Sequence, residues 1–471
     1  MKKRVLAPEG NRKNVSAQVL ESYTDTLSQM INCKTVFTHN NENQAEFDKL
    51  YKILEERFPT LTQKAECLTF GSGCFVYIIH GNNAQKNIML MSHHDVVDGG
   101  EDWDTDPFCA TIKNGSMYGR GTIDTKTPLF AELQACEELL KENYSFDGIN
   151  LYIGSSNNEE LCGDGMVLAT EYFKENGIHF DAVFDEGGAI TTGMVPTVKE
   201  KSAMVAVHEK SRHMYRCTAK KVQKGHGGLN QTSNNPISQM TAFIQEVENS
   251  KIYKSSLSNE VRGTFETHAP YMQFPLNIVM GNIKLFAPII KKVMQKMPPA
   301  KAMLSTSIAF TTISGGSVVD PQIAAHEVTA TMFLRCVRED DLYQGLEEIK
   351  KIAAKHSIEI EETERDYCQP TDYKTPQFKL LESVINDVFP DVIVSPFLLV
   401  AGTDARRFTD VADHIFRFAP IDLDQAQYAS VHGANEHIKI QNVGQCVCFY
   451  KNLIKAYSLS EKSKYNEESE R

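Results

Sequence analysis

The stretch IMLMSHHDVVDGG, Ile88 to Gly100, decides how this chain is read. An unbroken apolar run, Ile88 to Met91, leads into Ser92, His93, His94 and Asp95, and a glycine pair closes the segment. That is the pattern of a strand carrying chemistry-bearing side chains at its carboxyl end, where α/β sheets place their sites. Before it, the apolar spacing predicts helices near Ser16–Ile31 and Asn43–Phe58 and a strand at Val76–Ile79. After it come a helix over Thr125–Glu142, a strand at Ile149–Ile153, a helix over Val167–Lys174 and a strand at Ala182–Phe184. Helix and strand in alternation predict an α/β fold.

From Lys201 the texture changes. Polar-alternating strands are expected at Met204–His208 and His213–Ala219, then a helix near Pro236–Val247, strands at Ile308–Ile313 and Val328–Val337, a charged helix Asp340–His356 and a last strand Ile358–Thr363. The β-α-β-β-α-β order is that of a small α+β, ferredoxin-like unit inserted into the larger one. The Pro- and Met-rich stretch Tyr253–Ala300 interrupts it. A helix (Gln377–Phe389), strands (Val392–Val400, His414–Phe418) and a closing helix (Val443–Ser458) then resume the first pattern. The expected division is residues 1–200 with 369–471 for the larger domain and 201–368 for the insert.

Composition bounds the function. At 471 residues the chain exceeds one ordinary core. A net charge of −12 works against binding a phosphate backbone, so no nucleic-acid partner is expected. No apolar run approaches a membrane span, and the basic start MKKRVLAPEG lacks the apolar stretch of a secretory signal, so neither a membrane partner nor export is expected. Eleven cysteines without CxxC pairs read as buried thiols in a reducing compartment, the cytoplasm.

Five places carry candidate chemistry. His93 and Asp95 end the first strand, with Asp95 spaced to fix the tautomer of a metal-bound imidazole. Asp124, in GRGTIDTKTP, stands where an Asp can also simply cap the helix that follows. Glu159 and Glu160 end the next strand, where adjacent carboxylates are usually a solvated pair. Asp185 and Glu186 end a third, and His432 lies in SVHGANEHI near the C-terminus. Each alone has a structural explanation. Hard oxygen and imidazole donors at several strand ends of one sheet form a set that packing does not require, and donors without cysteine suit zinc or manganese in an open, catalytic site.

The order of motifs resembles the two-zinc exopeptidase family of carboxypeptidase S, the aminoacylases, the glutamate carboxypeptidases and the desuccinylase of lysine biosynthesis. SHHDVVDGGEDWDTDPF, MYGRGTIDTK, NNEE, FDEGGA, KGHGG, TTISGG, AGTDARRF and HGANEH carry the resemblance over nearly the whole chain. The insert looks most like the carboxypeptidase S and N-acyl-amino-acid hydrolase branch. The resemblance implies a zinc-exopeptidase-like catalytic domain, with a mixed central sheet flanked by helices, and an inserted lid. It also implies two Zn2+ per subunit, for which Mn2+ or Co2+ can substitute. His93 and Glu186 would be terminal ligands of one ion and Glu160 and His432 of the other, with Asp124 bridging and followed by a cis peptide. Asp95 would orient His93, Glu159 would be the general base and the lid's His226 would hold the oxyanion. Arg335, with Arg406 and Gly402 of AGTDARRF, would bind the substrate's free carboxylate.

The implied reaction cleaves the amide bond of a small peptide or N-acyl amino acid next to a free carboxylate, in a monomer or homodimer. Three positions depart from the family pattern: Asn158 for Asp, Asp320 for a lid Asn, and Ser305 for Arg. The changes at Asn158 and Asp320 leave open a metal-binding homologue without catalysis. A serine hydrolase would need a GxSxG elbow, which the sequence lacks.

Overall fold

A computed structural model describes residues 3–40, 42–220, 235–316, 319–320 and 322–469. The strand read from the opening motif, Lys86–Met91, lies inside a ten-stranded mixed sheet. Its neighbours, Ile149–Ser155 and Ala182–Asp185, both run parallel to it, and Ile415–Arg417 runs parallel to the latter. A parallel sheet is covered on both faces, which is why these strands read as unbroken apolar runs. The helices Lys126–Lys141 and Ile440–Ser469 pack together in the core that covers one face, with Leu129, Leu133, Val443 and Leu453 fully buried. Local signals set the helix starts: Ser16 and Thr375 each accept a hydrogen bond from the backbone N–H three residues on, and Pro376 opens the helix Pro376–Val388.

The second sheet has four antiparallel strands in the order Ser307–Gly315, Glu327–Cys336, Ser211–Lys220, Ile358–Asp366. The helices Pro236–Asn249 and Glu339–Lys355 share its apolar core, and strand Glu327–Cys336 alternates buried and open positions as a one-sided sheet requires. Between the first of these helices and strand Ser307–Gly315 lie four further helices, Asn259–His268, Leu276–Gly281, Ile283–Met294 and Pro298–Ala302. The Pro- and Met-rich composition had left this stretch unassigned. Among the described residues no helix is long and apolar enough to cross a membrane.

One expected strand sits elsewhere. Met204–His208 belongs to Lys201–Glu209, which pairs with Val392–Leu399 in the large sheet and not with the small one. The reason is its pattern: after Lys201 it is buried throughout, on both faces, where a strand of a one-sided sheet alternates. The chain crosses to the small sheet only at Ser211.

The crossing is pinned by a buried ion pair. Arg417 Nε donates to Glu209 at 2.7 Å, both side chains fully buried, and Glu209 also accepts from the backbone and hydroxyl of Thr403 at 3.1 and 3.0 Å. The pair thus fixes the turn that holds Gly402. Replacing Arg417 by Met is expected to cost about 3–5 kcal/mol, because Glu209 keeps its charge in the core without the cation. Equilibrium urea unfolding measures this, and a loss below about 1 kcal/mol would contradict the assignment.

Candidate metal centre

Adjacent parallel strands release their carboxyl ends on one side of a sheet, and three such ends converge here. His93 follows Lys86–Met91, Glu159 and Glu160 follow Ile149–Ser155, and Glu186 follows Ala182–Asp185. Asp124 stands just before the helix Lys126–Lys141, and His432 just after the short helix Gln425–Ser430. His93 Nε2 lies 3.0 Å from Asp124 Oδ1 and 3.5 Å from Glu186 Oε1. His432 Nε2 lies 3.1 Å from both Asp124 Oδ2 and Glu160 Oε2. Two three-residue clusters therefore share Asp124, each with its ligand atoms within 4.8 Å of one another.

A neutral imidazole nitrogen and a carboxylate oxygen are both acceptors, so only a proton or a cation can sit between them. Without metal, protons fill the gaps. Hydrogen bonds with Asp124 and Glu160 lift His432 to about 10. Burial opposes charge on His93, yet its bonds to Asp124, Asp95 and Glu186 hold it well above the usual imidazole range. Glu186 is pushed up to about 8 by burial and by the charge of Asp124. Burial also disfavours the Asp124 carboxylate, but the two imidazoles outweigh it and keep its pKa low. The residues fit a pair of divalent cations: the donors are hard, and Glu160 Oε1 is buried with no hydrogen-bond partner.

The surroundings hold these groups still. His93 Nδ1 donates to the Asp95 carbonyl at 2.9 Å and has the Asp95 carboxylate at 3.4 Å, which leaves Nε2 facing the acids. The Asp95 carboxylate has a second task the sequence did not announce: it accepts the backbone N–H groups of Glu159 and Glu160, both at 3.1 Å. Glu436 was missed altogether. Fully buried, it takes Arg120 Nη1 at 2.7 Å and the N–H groups of Ile123 at 2.7 Å and Asp124 at 3.2 Å, gripping the loop that presents Asp124. The only sign in the sequence was an Arg and a Glu inside two motifs already singled out. The Asp124–Thr125 peptide is cis.

Glu159 is held well above the ordinary carboxylate range, first by burial and then by the charge of Asp404, Glu186 and Asp95, against the pull of His93. Asp404, also missed, is buried and accepts from Ser156 Oγ at 2.5 Å. Asn158, a departure from the family pattern, bonds Asp164 at 3.1 Å beside the next helix and offers no ligand. Arg335 and Arg406 meet at Gly402, where an added Cβ would lie 3.0 Å from one guanidinium and 3.1 Å from the other. Arg406 is already neutralised by Asp366 at 3.2 Å, which Arg212 and Arg407 also engage. Arg335 has no carboxylate partner among the described residues; it donates to the Lys210 carbonyl at 3.4 Å and lies over the Phe333 ring, 5.5 Å from its centroid. His226 lies outside the described residues.

Residues 89–456 match the peptidase family M20/M25/M40. The chain belongs to that family, and it is an enzyme of the metallopeptidase and amidohydrolase type. Across 92% of its length it is 28% identical to the mouse N-fatty-acyl-amino acid synthase/hydrolase PM20D1, covering 85% of that protein. It is 27% identical to a probable carboxypeptidase S-like protein of Dictyostelium discoideum, with 88% of this chain and 80% of that one aligned. In three dimensions it resembles an M20 family metallo-carboxypeptidase from Sulfolobus solfataricus, with a TM-score of 0.68 at 20% identity over 93% of this chain and 99% of that one.

Because protons occupy the ligands when metal does not, loading must displace them. With only protons to compete for them, His93, His432 and Glu186 are all held above their usual ranges, so binding at pH 7 is expected to release protons and to tighten as pH rises. Calorimetric zinc titration in two buffers of different ionisation enthalpy tests this. Proton uptake, or affinity that falls from pH 6 to pH 7.5, would contradict it.

Proposed function

We propose that the protein hydrolyses the amide bond of a small peptide or N-acyl amino acid next to a free carboxylate, using two Zn2+ ions held by His93, Asp124, Glu160, Glu186 and His432. The observation that carries this reading is the pair of clusters sharing Asp124. Bound there, two divalent cations acidify water and polarise a carbonyl, which dispenses with a covalent nucleophile. Glu159 takes the proton from the attacking water and passes it to the departing nitrogen, a task suited to a carboxyl whose pKa burial has raised. Asp95 acts by positioning, since one carboxylate fixes both His93 and the Glu159–Glu160 backbone. His226 is assigned to the oxyanion on the family resemblance alone. The inserted unit serves as the lid that carries it.

Arg335 receives the substrate's carboxylate. A half-buried guanidinium without a carboxylate partner among the described residues, set against a second one across Gly402, calls for an anion, and its planar fork suits a carboxylate. Arg406 supports the same pocket while paired to Asp366. The relatives' names speak of N-fatty-acyl amino acids and of carboxypeptidases, and both kinds of substrate end in such a group. All eleven cysteines are free, which supports a reducing compartment, the cytoplasm.

Glu159→Gln is expected to keep its metal and lose turnover by about 10²–10⁴-fold. Metal analysis and single-turnover rates on an N-acyl amino acid check both halves, and near-normal turnover removes Glu159 from the chemistry. For Arg335, wild type is expected to prefer an N-acyl amino acid over its C-terminal amide by about 100-fold, and Arg335→Met to lose most of that preference. Discrimination that survives the substitution would transfer the role to Arg406.

A further inference from the structure

The helix Ile283–Met294 carries a surface that the reaction does not use. Its inner face is buried through Ile283, Ile290 and Met294, which pack with Leu257, Val261 and Leu398. Two rows at four-residue spacing face outward. One is apolar: Leu285 is 76% exposed, Ile289 61% and Val293 56%, and Met297 continues the row into the following turn. The adjacent row is Lys284, Pro288, Lys292 and Lys296, all exposed. None of these three lysines is ion-paired among the described residues. Phe274, 79% exposed, and Ile278 precede them in the same segment.

The charge of this segment runs against that of the chain. From Thr267 to Val319 there is no Asp or Glu and there are five lysines, in a protein of net charge −12. Large apolar side chains exposed in a contiguous row mark an interaction surface, whereas single scattered ones need no explanation. An apolar row beside a basic row is what an interfacial helix presents: the apolar side chains enter the acyl boundary while the lysines meet anionic headgroups. A second copy seated on the same face would set lysines against lysines. We infer that the helix Ile283–Met294 docks the protein peripherally on an anionic phospholipid surface. Among the described residues no helix is long and apolar enough to cross a membrane, and a helix lying in the interface needs no such length. The inference does not rest on the reaction proposed above.

The segment is also tied to the candidate site. Lys210 Nζ donates to the carbonyls of Ala302 and Ser305 at 3.0 and 2.9 Å, and the Lys210 carbonyl accepts from Arg335. Docking by this face therefore holds the Arg335 pocket at a fixed place relative to the lipid.

The test is vesicle co-sedimentation of the full chain with phosphatidylcholine alone and with phosphatidylcholine containing phosphatidylserine. Wild type is expected to pellet with the anionic vesicles, to be released by salt, and to stay in solution with the neutral ones. Leu285→Asp with Ile289→Asp should weaken binding at least tenfold, and reversing Lys284, Lys292 and Lys296 to Glu should weaken it about fivefold or more for each charge. Metal content and hydrolysis of a soluble substrate should not change in either variant, which confirms that each is folded. Wild type that ignores anionic vesicles overturns the inference without recourse to any variant. So does vesicle binding that both variants retain, or a dimer dispersed by the aspartate variant in a protein that binds no vesicles.

Discussion

Asp124 offers its two carboxylate oxygens to two imidazoles, His93 at 3.0 Å and His432 at 3.1 Å, and the rest of the centre is arranged around that shared group. Each imidazole is then met by one further carboxylate, Glu186 or Glu160. So many acceptors cannot be brought together in a largely buried place without positive charge between them. The fold therefore spends its organisation on holding the acids in position. Glu436 grips the Asp124 loop from beneath, Asp95 holds the Glu159–Glu160 backbone, and three parallel strands deliver their ends to one edge.

A second electrostatic centre complements the first. Glu209 and Arg417 neutralise each other in the core and fix Thr403, so Gly402 lies where a Cβ would crowd the guanidinium ends of Arg335 and Arg406, at 3.0 and 3.1 Å. The acids of the first centre attract cations, and Arg335, without a carboxylate partner among the described residues, attracts an anion. A substrate with a free carboxylate near its reacting carbonyl answers both demands.

Much of this was legible in the sequence because strand ends in a parallel sheet announce themselves as polar residues after an apolar run. His93, Glu160, Glu186 and Asp124 were all found that way or through the family resemblance, and the clusters bring them together. What was not legible depends on partners distant in sequence. Nothing local separates His93 from His94, yet His94 turns into the core, bonded to Ser155 at 2.8 Å and Tyr51 at 3.2 Å and stacked on Phe75. Glu436 is identified only by groups more than three hundred residues earlier. Met204–His208 was placed in the wrong sheet because its few polar residues suggested alternation where burial is continuous. The helices between Asn259 and Ala302 escaped because the prolines, Pro288 inside Ile283–Met294 among them, read as breaks in the chain.

The central claim is that one carboxylate, Asp124, is common to two cation sites. The most direct measurement is metal stoichiometry by plasma mass spectrometry on folded, zinc-equilibrated wild type, Asp124→Ala and His432→Ala. The account predicts two ions per chain in wild type, one after loss of His432 and none retained at comparable affinity after loss of Asp124. Two ions bound to the Asp124→Ala protein as tightly as to wild type would contradict it.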